Sequence, residues 1–176
     1  MPQFSPNNLT DSIDSPARRA QILALLRQLC EQVAKLHATG QLHRAINAEN
    51  VSVSPNFQAT LSPPQEIAVE CAGPWASVPP ELETATTLLI PADIKQAESV
   101  LRRAGIHCDP RRIDLFQIGQ LALQWLTIES VEAYLMSPQA AAKVPGEFRE
   151  LIDGTLGYDP ARRFTNGQDL QAALAN

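Results

Sequence analysis

The sequence predicts a mainly α domain, a helical bundle with a short β-hairpin region. Three observations carry this. Apolar residues at 22–36 recur at helical spacing, and residues 113–126 are apolar on nearly all faces over a helical length. Between them, Val51 and Val53 alternate with serines and face Ala59–Leu61 across Pro55-Asn56, as two short strands around a turn. At 176 residues and 44% hydrophobic, the chain is long and apolar enough for one domain with a real core.

Residues 1–14 are polar and hold Pro, Asn and Ser, which reads as a loose lead-in to a single domain at 15–176. The first helix opens on Ser15 as N-cap and Pro16 at its first position. Ile22, Leu26, Leu29, Val33 and Leu36 form one face, Leu23, Leu25 and Cys30 widen it, and Gly40 closes it. After the hairpin, Pro63, Pro64, Pro74, Pro79 and Pro80 forbid a long regular element and imply an ordered loop. A second helix is expected from about Pro91 to Ala104, closed by Gly105, with Ala97, Val100 and Leu101 on its apolar face. Ile113, Phe116, Ile118, Leu121, Ala122, Trp125 and Leu126 mark a central buried helix. Shorter helices follow at about 131–135, 147–156 and 167–174.

Composition narrows the function. Fourteen basic and nineteen acidic residues give a net charge of -5 with no basic block, which disfavours nucleic-acid and membrane-surface partners. Cys30, Cys71 and Cys108 are far apart, odd in number and without metal-ligand spacing, so they read as small residues of a reducing compartment. The start has no signal-peptide pattern, and no apolar run approaches membrane-spanning length. A cytoplasmic location is the expectation.

Five motifs occur in order. Leu36-His37-Ala38-Thr39-Gly40 is followed by His43-Arg44-Ala45-Ile46-Asn47-Ala48-Glu49-Asn50. Then come Gly73-Pro74-Trp75-Ala76-Ser77-Val78-Pro79-Pro80-Glu81, Asp114-Leu115-Phe116-Gln117-Ile118-Gly119, and Leu156-Gly157-Tyr158-Asp159-Pro160-Ala161-Arg162-Arg163. Together they resemble the C-terminal lobe of eukaryotic-type Ser/Thr protein kinases from about residue 16 onward. The second resembles the H-R-D-x-x-x-x-N catalytic loop. The resemblance implies structural roles for three residues. Glu81 and Arg163 would form a buried ion pair, and Asp114 would accept hydrogen bonds from the main chain around His43 and Arg44. In that family the residue matching Arg44 can pair with a phosphorylated side chain.

The chemical positions depart from the pattern. Ala45 stands where the family carries the aspartate that accepts the substrate proton, and a methyl group cannot do so. Asn47 replaces a lysine that contacts the transferred phosphoryl. Where the metal-binding D-F-G belongs, the chain reads Ser62-Pro63-Pro64-Gln65, and Asn50 alone is a poor magnesium site. No glycine-rich loop with its following strand lysine precedes the first helix, so the nucleotide-binding N-lobe is expected to be absent.

The remaining polar residues read as scaffold. His43 is expected to pack in the core and Asn50 to cap its loop. Asp109-Pro110-Arg111-Arg112 and Arg162-Arg163 read as solvated faces or ion-pair partners, and Trp75 and Trp125 as packing residues. No catalytic, cofactor-binding or metal residue is assigned. The extra helix at about 91–104 is read as cover for an apolar surface, because Leu88, Leu89, Ile90 and Val100 call for burial. The expected function is a degenerate, pseudokinase-like protein-binding or regulatory module whose partner is another protein. The alternative is the C-lobe part of a split or truncated kinase.

Overall fold

A computed structural model describes residues 15–64, 69–71, 78–82, 88–127, 129–157, 159 and 162–175, and of 69–71 and 175 the main chain only. The lead-in expected at 1–14, the 73–77 stretch with Trp75, and Gln65, Tyr158, Pro160 and Ala161 lie outside the described residues, as does the Cys71 side chain.

Helix α1 runs Pro16–Ala38, with Ser15 at its N-cap and Pro16 in its first turn. It buries Ile22, Leu25, Leu26, Leu29, Cys30, Val33 and His37. Its end is a Schellman turn. The Gly40 amide donates to the His37 carbonyl at 3.0 Å and the Gln41 amide to that of Leu36 at 3.2 Å. Gly40 sits at φ +80°, which only a residue without Cβ adopts cheaply.

Strands β1 (Val51–Val53) and β2 (Ala59–Leu61) pair antiparallel, Ser52 opposite Thr60. The hairpin lies on α1 through two glutamines one helical turn apart. Gln28 accepts from the Ala59 amide at 2.8 Å and donates to the Phe57 carbonyl at 3.1 Å. Gln32 accepts from Leu61 at 3.0 Å and donates to Ala59 at 2.9 Å. Their amides act as peptide groups and satisfy the outer edge of β2, which would otherwise be left unpaired.

A second antiparallel pair follows, β3 (Val69–Cys71) with β4 (Leu88–Ile90), Glu70 opposite Leu89. Sequence patterning misses it, because three residues show no alternation among so many prolines. A 3-10 turn at Pro80–Leu82 lies between these strands in sequence. Helix α2 spans Ile94–Arg103. Pro91 does not start it; Asp93 does, its carboxylate accepting the Gln96 amide at 2.8 Å. Residues 91–93 are instead drawn into contact with the end of α1. Leu89 is 58% exposed, against the expectation of burial, because β4 turns Ile90 inward and its neighbour outward.

Helix α3 (Arg112–Leu126) is buried almost all round. It is followed by α4 (Val131–Met136), α5 (Pro138–Ala141), a 3-10 turn at Gly146–Phe148, α6 (Arg149–Leu156) and α7 (Gly167–Ala175). The short α5 is an addition to the expected elements; Ser137 caps it through the Ala140 amide. Helix α1 packs on α7 and α3, and α3 on α6. At the last crossing, a Cβ on Gly119 would fall 2.2 Å from Thr155 Oγ1, so glycine sets the approach of the two helices.

The core has two parts. The larger joins α1, the first hairpin, α3, α4, α6 and α7; Leu26, Leu29, Leu115, Phe116 and Ile118 are fully buried there. Each such side chain contributes about 1.5–3 kcal/mol. The smaller joins Leu42, Val78, Leu82, Ile90, Ile94, Ala97, Leu101 and Ile113, so α2 covers apolar surface with its inner face. Among the described residues no helix is long and apolar enough to cross a membrane.

Candidate functional site

The loop at 42–51 lies between α1 and α3, and one carboxylate organises it. Asp114, in the first turn of α3, is fully buried. Its Oδ2 accepts from the His43 amide and from His37 Nε2, both at 2.8 Å, and its Oδ1 accepts from the Arg44 amide at 2.6 Å. A carboxylate withdrawn from water needs such donors, and the short distances are those of charge-assisted bonds. Three residues on, and so on the same face of α3, Gln117 continues the grip. It accepts from the Ile46 amide at 2.8 Å and donates to the Arg44 carbonyl at 2.9 Å. Residues 43–46 are thus pinned to α3 at both sides of Ala45.

Arg44 has φ +68°, a left-handed conformation that costs a non-glycine residue of order 1 kcal/mol or more. It persists because amide, carbonyl and side chain are all held. The guanidinium is buried and its Nη1 donates to the Ile90 carbonyl at 2.8 Å. Burial pushes its pKa below the ordinary arginine value, and the Asp114 charge opposes that shift.

His43 is buried, and its hydrogen-bond partners select its tautomer. Nε2 donates to the Ser62 carbonyl at 2.8 Å, so it carries the hydrogen, and Nδ1 accepts from the Ala45 amide at 3.3 Å. The ring joins the loop to the chain just after β2, where the Ser62 amide donates back to the Asn50 carbonyl at 2.9 Å. Asn47 closes the next turn: its Oδ1 accepts from the Glu49 and Asn50 amides at 2.9 and 3.1 Å. Asn50 Nδ2 donates to the Ala45 carbonyl at 2.9 Å. Ala45 itself is half-buried, and its methyl side chain can neither give nor accept a proton. The loop's single carboxylate, Glu49, is exposed.

Glu81 and Arg163 meet elsewhere, at 2.5 Å between Oε1 and Nη1. The Arg163 side chain is 9% exposed and that of Glu81 30%, so the acid end of the pair touches water. Arg112, buried, approaches the same oxygen at 3.7 Å and donates to the Phe164 carbonyl at 2.8 Å. Arg163 Nε also holds the Gly157 carbonyl at 2.6 Å. The Cys108 thiol lies 3.9 Å from Glu81, and burial together with that carboxylate pushes it up to about 12, away from reactivity. The structure therefore separates two groups: Asp114 with the loop, and Glu81 with Arg112 and Arg163.

Sequence reasoning missed His37, Gln117, Gln28 and Gln32, and Arg112, expected as a solvated face or an ion-pair partner, is the second. The signal was available for the glutamines. Gln117 interrupts the most apolar stretch of the chain at i+3 from Asp114, and Gln28 and Gln32 are an i, i+4 polar pair beside a buried face.

No protein-family model matches the sequence, and neither does any curated protein. Among solved structures, the chain is similar to the crystal structure of a Toxoplasma gondii specific rhoptry antigen kinase domain. The TM-score is 0.53 and the identity 15%, covering 90% of this chain and 47% of that one. This likeness shows the fold: a mainly helical, protein-kinase-like arrangement spanning about half the length of the matched kinase-domain chain.

Proposed function

We propose that this is a kinase-like C-lobe domain that does not itself transfer phosphoryl groups and acts as a protein-binding or regulatory module. The observation that carries the reading is the fully tied loop around Ala45. Asp114, Gln117, His43 and Asn50 hold the main chain in place, while the position that would act on a substrate proton is a methyl group. The Ser62-Pro63-Pro64-Gln65 stretch supplies no carboxylate for magnesium. On this reading Glu81, Asp114 and Arg163 serve the scaffold, and the partner is another protein.

A thermal-shift titration with Mg-ATP tests the loss of nucleotide chemistry. Bound ligand at 100-fold excess over Kd would stabilise the fold by about 2.7 kcal/mol. No metal-dependent shift and no labelled phosphate on substrate proteins are expected; either one sinks the proposal. The binding half predicts a stoichiometric partner in affinity capture, and repeated failure to recover one counts against it.

The 47% coverage of the kinase-domain chain favours one alternative, that this is the C-lobe part of a split or truncated Ser/Thr kinase. Adding a kinase N-lobe in trans separates the two. Restored ATP-dependent transfer would establish the split enzyme, and its absence supports the binding module.

A further inference from the structure

Strand β4, residues 91–93 and α2 run along one flank of the 40–46 loop and are tied to it at successive points. The Leu42 amide donates to the Ala92 carbonyl at 2.7 Å, and the Ile94 amide donates to the Gly40 carbonyl at 3.0 Å. Between these bonds, Gln41 and Asp93 face each other as an antiparallel bridge. Arg44 adds a side-chain tie across the same seam, from Nη1 to the Ile90 carbonyl at 2.8 Å. The smaller core spans it as well, with Leu42 on the loop and Ile90, Ile94, Ala97 and Leu101 on the other side.

The Arg44 tie is unusual in kind. Among the described residues Arg44 is the largest of the fully buried side chains, at 1% exposure, and it extends from a left-handed backbone. A buried cation is tolerated only while its partners stay in place. Ile90 provides a carbonyl from β4 to the guanidinium, while Asp114 on α3 holds the Arg44 main-chain amide and sets a negative charge nearby. Moving β4 away would leave the guanidinium without that carbonyl. It would also remove one restraint on the strained backbone of Arg44.

We propose that β4 and α2 form a strap that locks the 40–46 loop, with Arg44 as its bolt, so that strap and loop open as one cooperative unit. It gives α2 a task beyond covering apolar surface: the shape of the loop depends on α2 staying docked.

Amide hydrogen exchange on the full 176-residue chain tests this. The informative loop amides are His43, Arg44 and Ile46, whose acceptors lie on α3 and not on the strap. In the wild-type chain under a denaturant gradient, these three and the Ala97 and Leu101 amides of α2 should share one opening free energy. Asp93→Ala removes the α2 N-cap, and both sets should then exchange about fivefold faster, with the α6 amides unchanged. Arg44→Met removes the bolt and should accelerate the α2 amides by at least about tenfold. Distinct opening free energies for the two sets in the wild-type chain would overturn the proposal. Acceleration of one set alone in Asp93→Ala would do the same. Where Arg44→Met does not fold, those two measurements decide.

Discussion

Asp114→Asn is the sharpest perturbation of the loop, because it preserves shape and removes charge. The carboxylate receives three donors: the His43 amide and His37 Nε2 at Oδ2, and the Arg44 amide at Oδ1. An asparagine has one acceptor oxygen. If that oxygen faces His43 and His37, the NH2 group is forced against the Arg44 amide across a 2.6 Å contact. If it faces Arg44, the NH2 meets the His43 amide. In either pose at least one buried amide loses its acceptor, at about 1–3 kcal/mol. The buried Arg44 cation also loses the negative charge that opposes its desolvation. Together these should cost about 3–5 kcal/mol, within the range for breaking a buried ionic network. Urea unfolding followed by far-UV dichroism should show a lower midpoint with an unchanged slope. Melting should fall by roughly 10 °C, since 1 kcal/mol is worth about 2–4 °C at this size. A loss below about 1 kcal/mol would refute the claim that Asp114 holds the loop.

Three further outcomes follow from the packing. Gly119→Ala places a Cβ 2.2 Å from Thr155 Oγ1 and 2.9 Å from Leu156 Cδ2. Overpacking should outweigh the helix-propensity gain and destabilise by about 1–3 kcal/mol, with Thr155→Ala restoring part; a stabilised single variant would contradict the close α3–α6 crossing. Glu81→Ala removes the carboxylate shared by the buried Arg112 and the part-buried Arg163, and should cost about 2–4 kcal/mol, tempered by the 30% exposure of Glu81. Glu81→Leu with Arg163→Met should lose less than Glu81→Ala alone, and chemical denaturation showing the reverse order rules out that account. Burial pushes the Cys30 thiol from 9.0 up to about 12. The folded chain therefore keeps a proton that the unfolded chain loses above pH 9, so stability falls between pH 9 and 12, by at most about 1.4 kcal/mol per pH unit. Cys30→Ala should flatten that decline, and an identical pH slope in wild type and variant would remove Cys30 from it.

The helices were legible where periodicity was long. Residues 16–38 and 112–126 show three or more turns of apolar spacing, and Gly40 and Gly105 end their helices at φ +80° and +75°. Patterning failed where elements are short or set by tertiary contact. β3 and β4 have three residues each, too few to show a period, and Leu89 reads as buried only if its strand's orientation is unknown. Pro91 is a reasonable helix start in isolation. Residues 91–93 instead stay outside the helix because Ala92 and Asp93 pair with Leu42 and Gln41, just after α1. For the site, motif order points to Asp114 and to Glu81 with Arg163, but local sequence says nothing of which donors each meets. Arg112 shows the limit most clearly. Beside Arg111, which pairs with Asp109 near the surface, it looks identical in sequence, yet it is buried against Glu81 and Phe164.

The polar side chains of the loop also bear on what it can do. Asn47 is committed to two amides of its own turn and Asn50 Nδ2 to the Ala45 carbonyl. His43 spans Ser62 and Ala45 with its two ring nitrogens. A ligand seeking these groups would have to displace intramolecular bonds worth roughly 0.5–1.5 kcal/mol each, and would meet no carboxylate at position 45. A surface already satisfied in this way is better suited to presenting a fixed shape than to gripping a charged nucleotide. On the function proposed above, that fixed shape is what another protein would meet. On the strap proposed above, release of β4 and α2 would free the Ile90 carbonyl from Arg44 and carry the 40–46 loop with it as one unit.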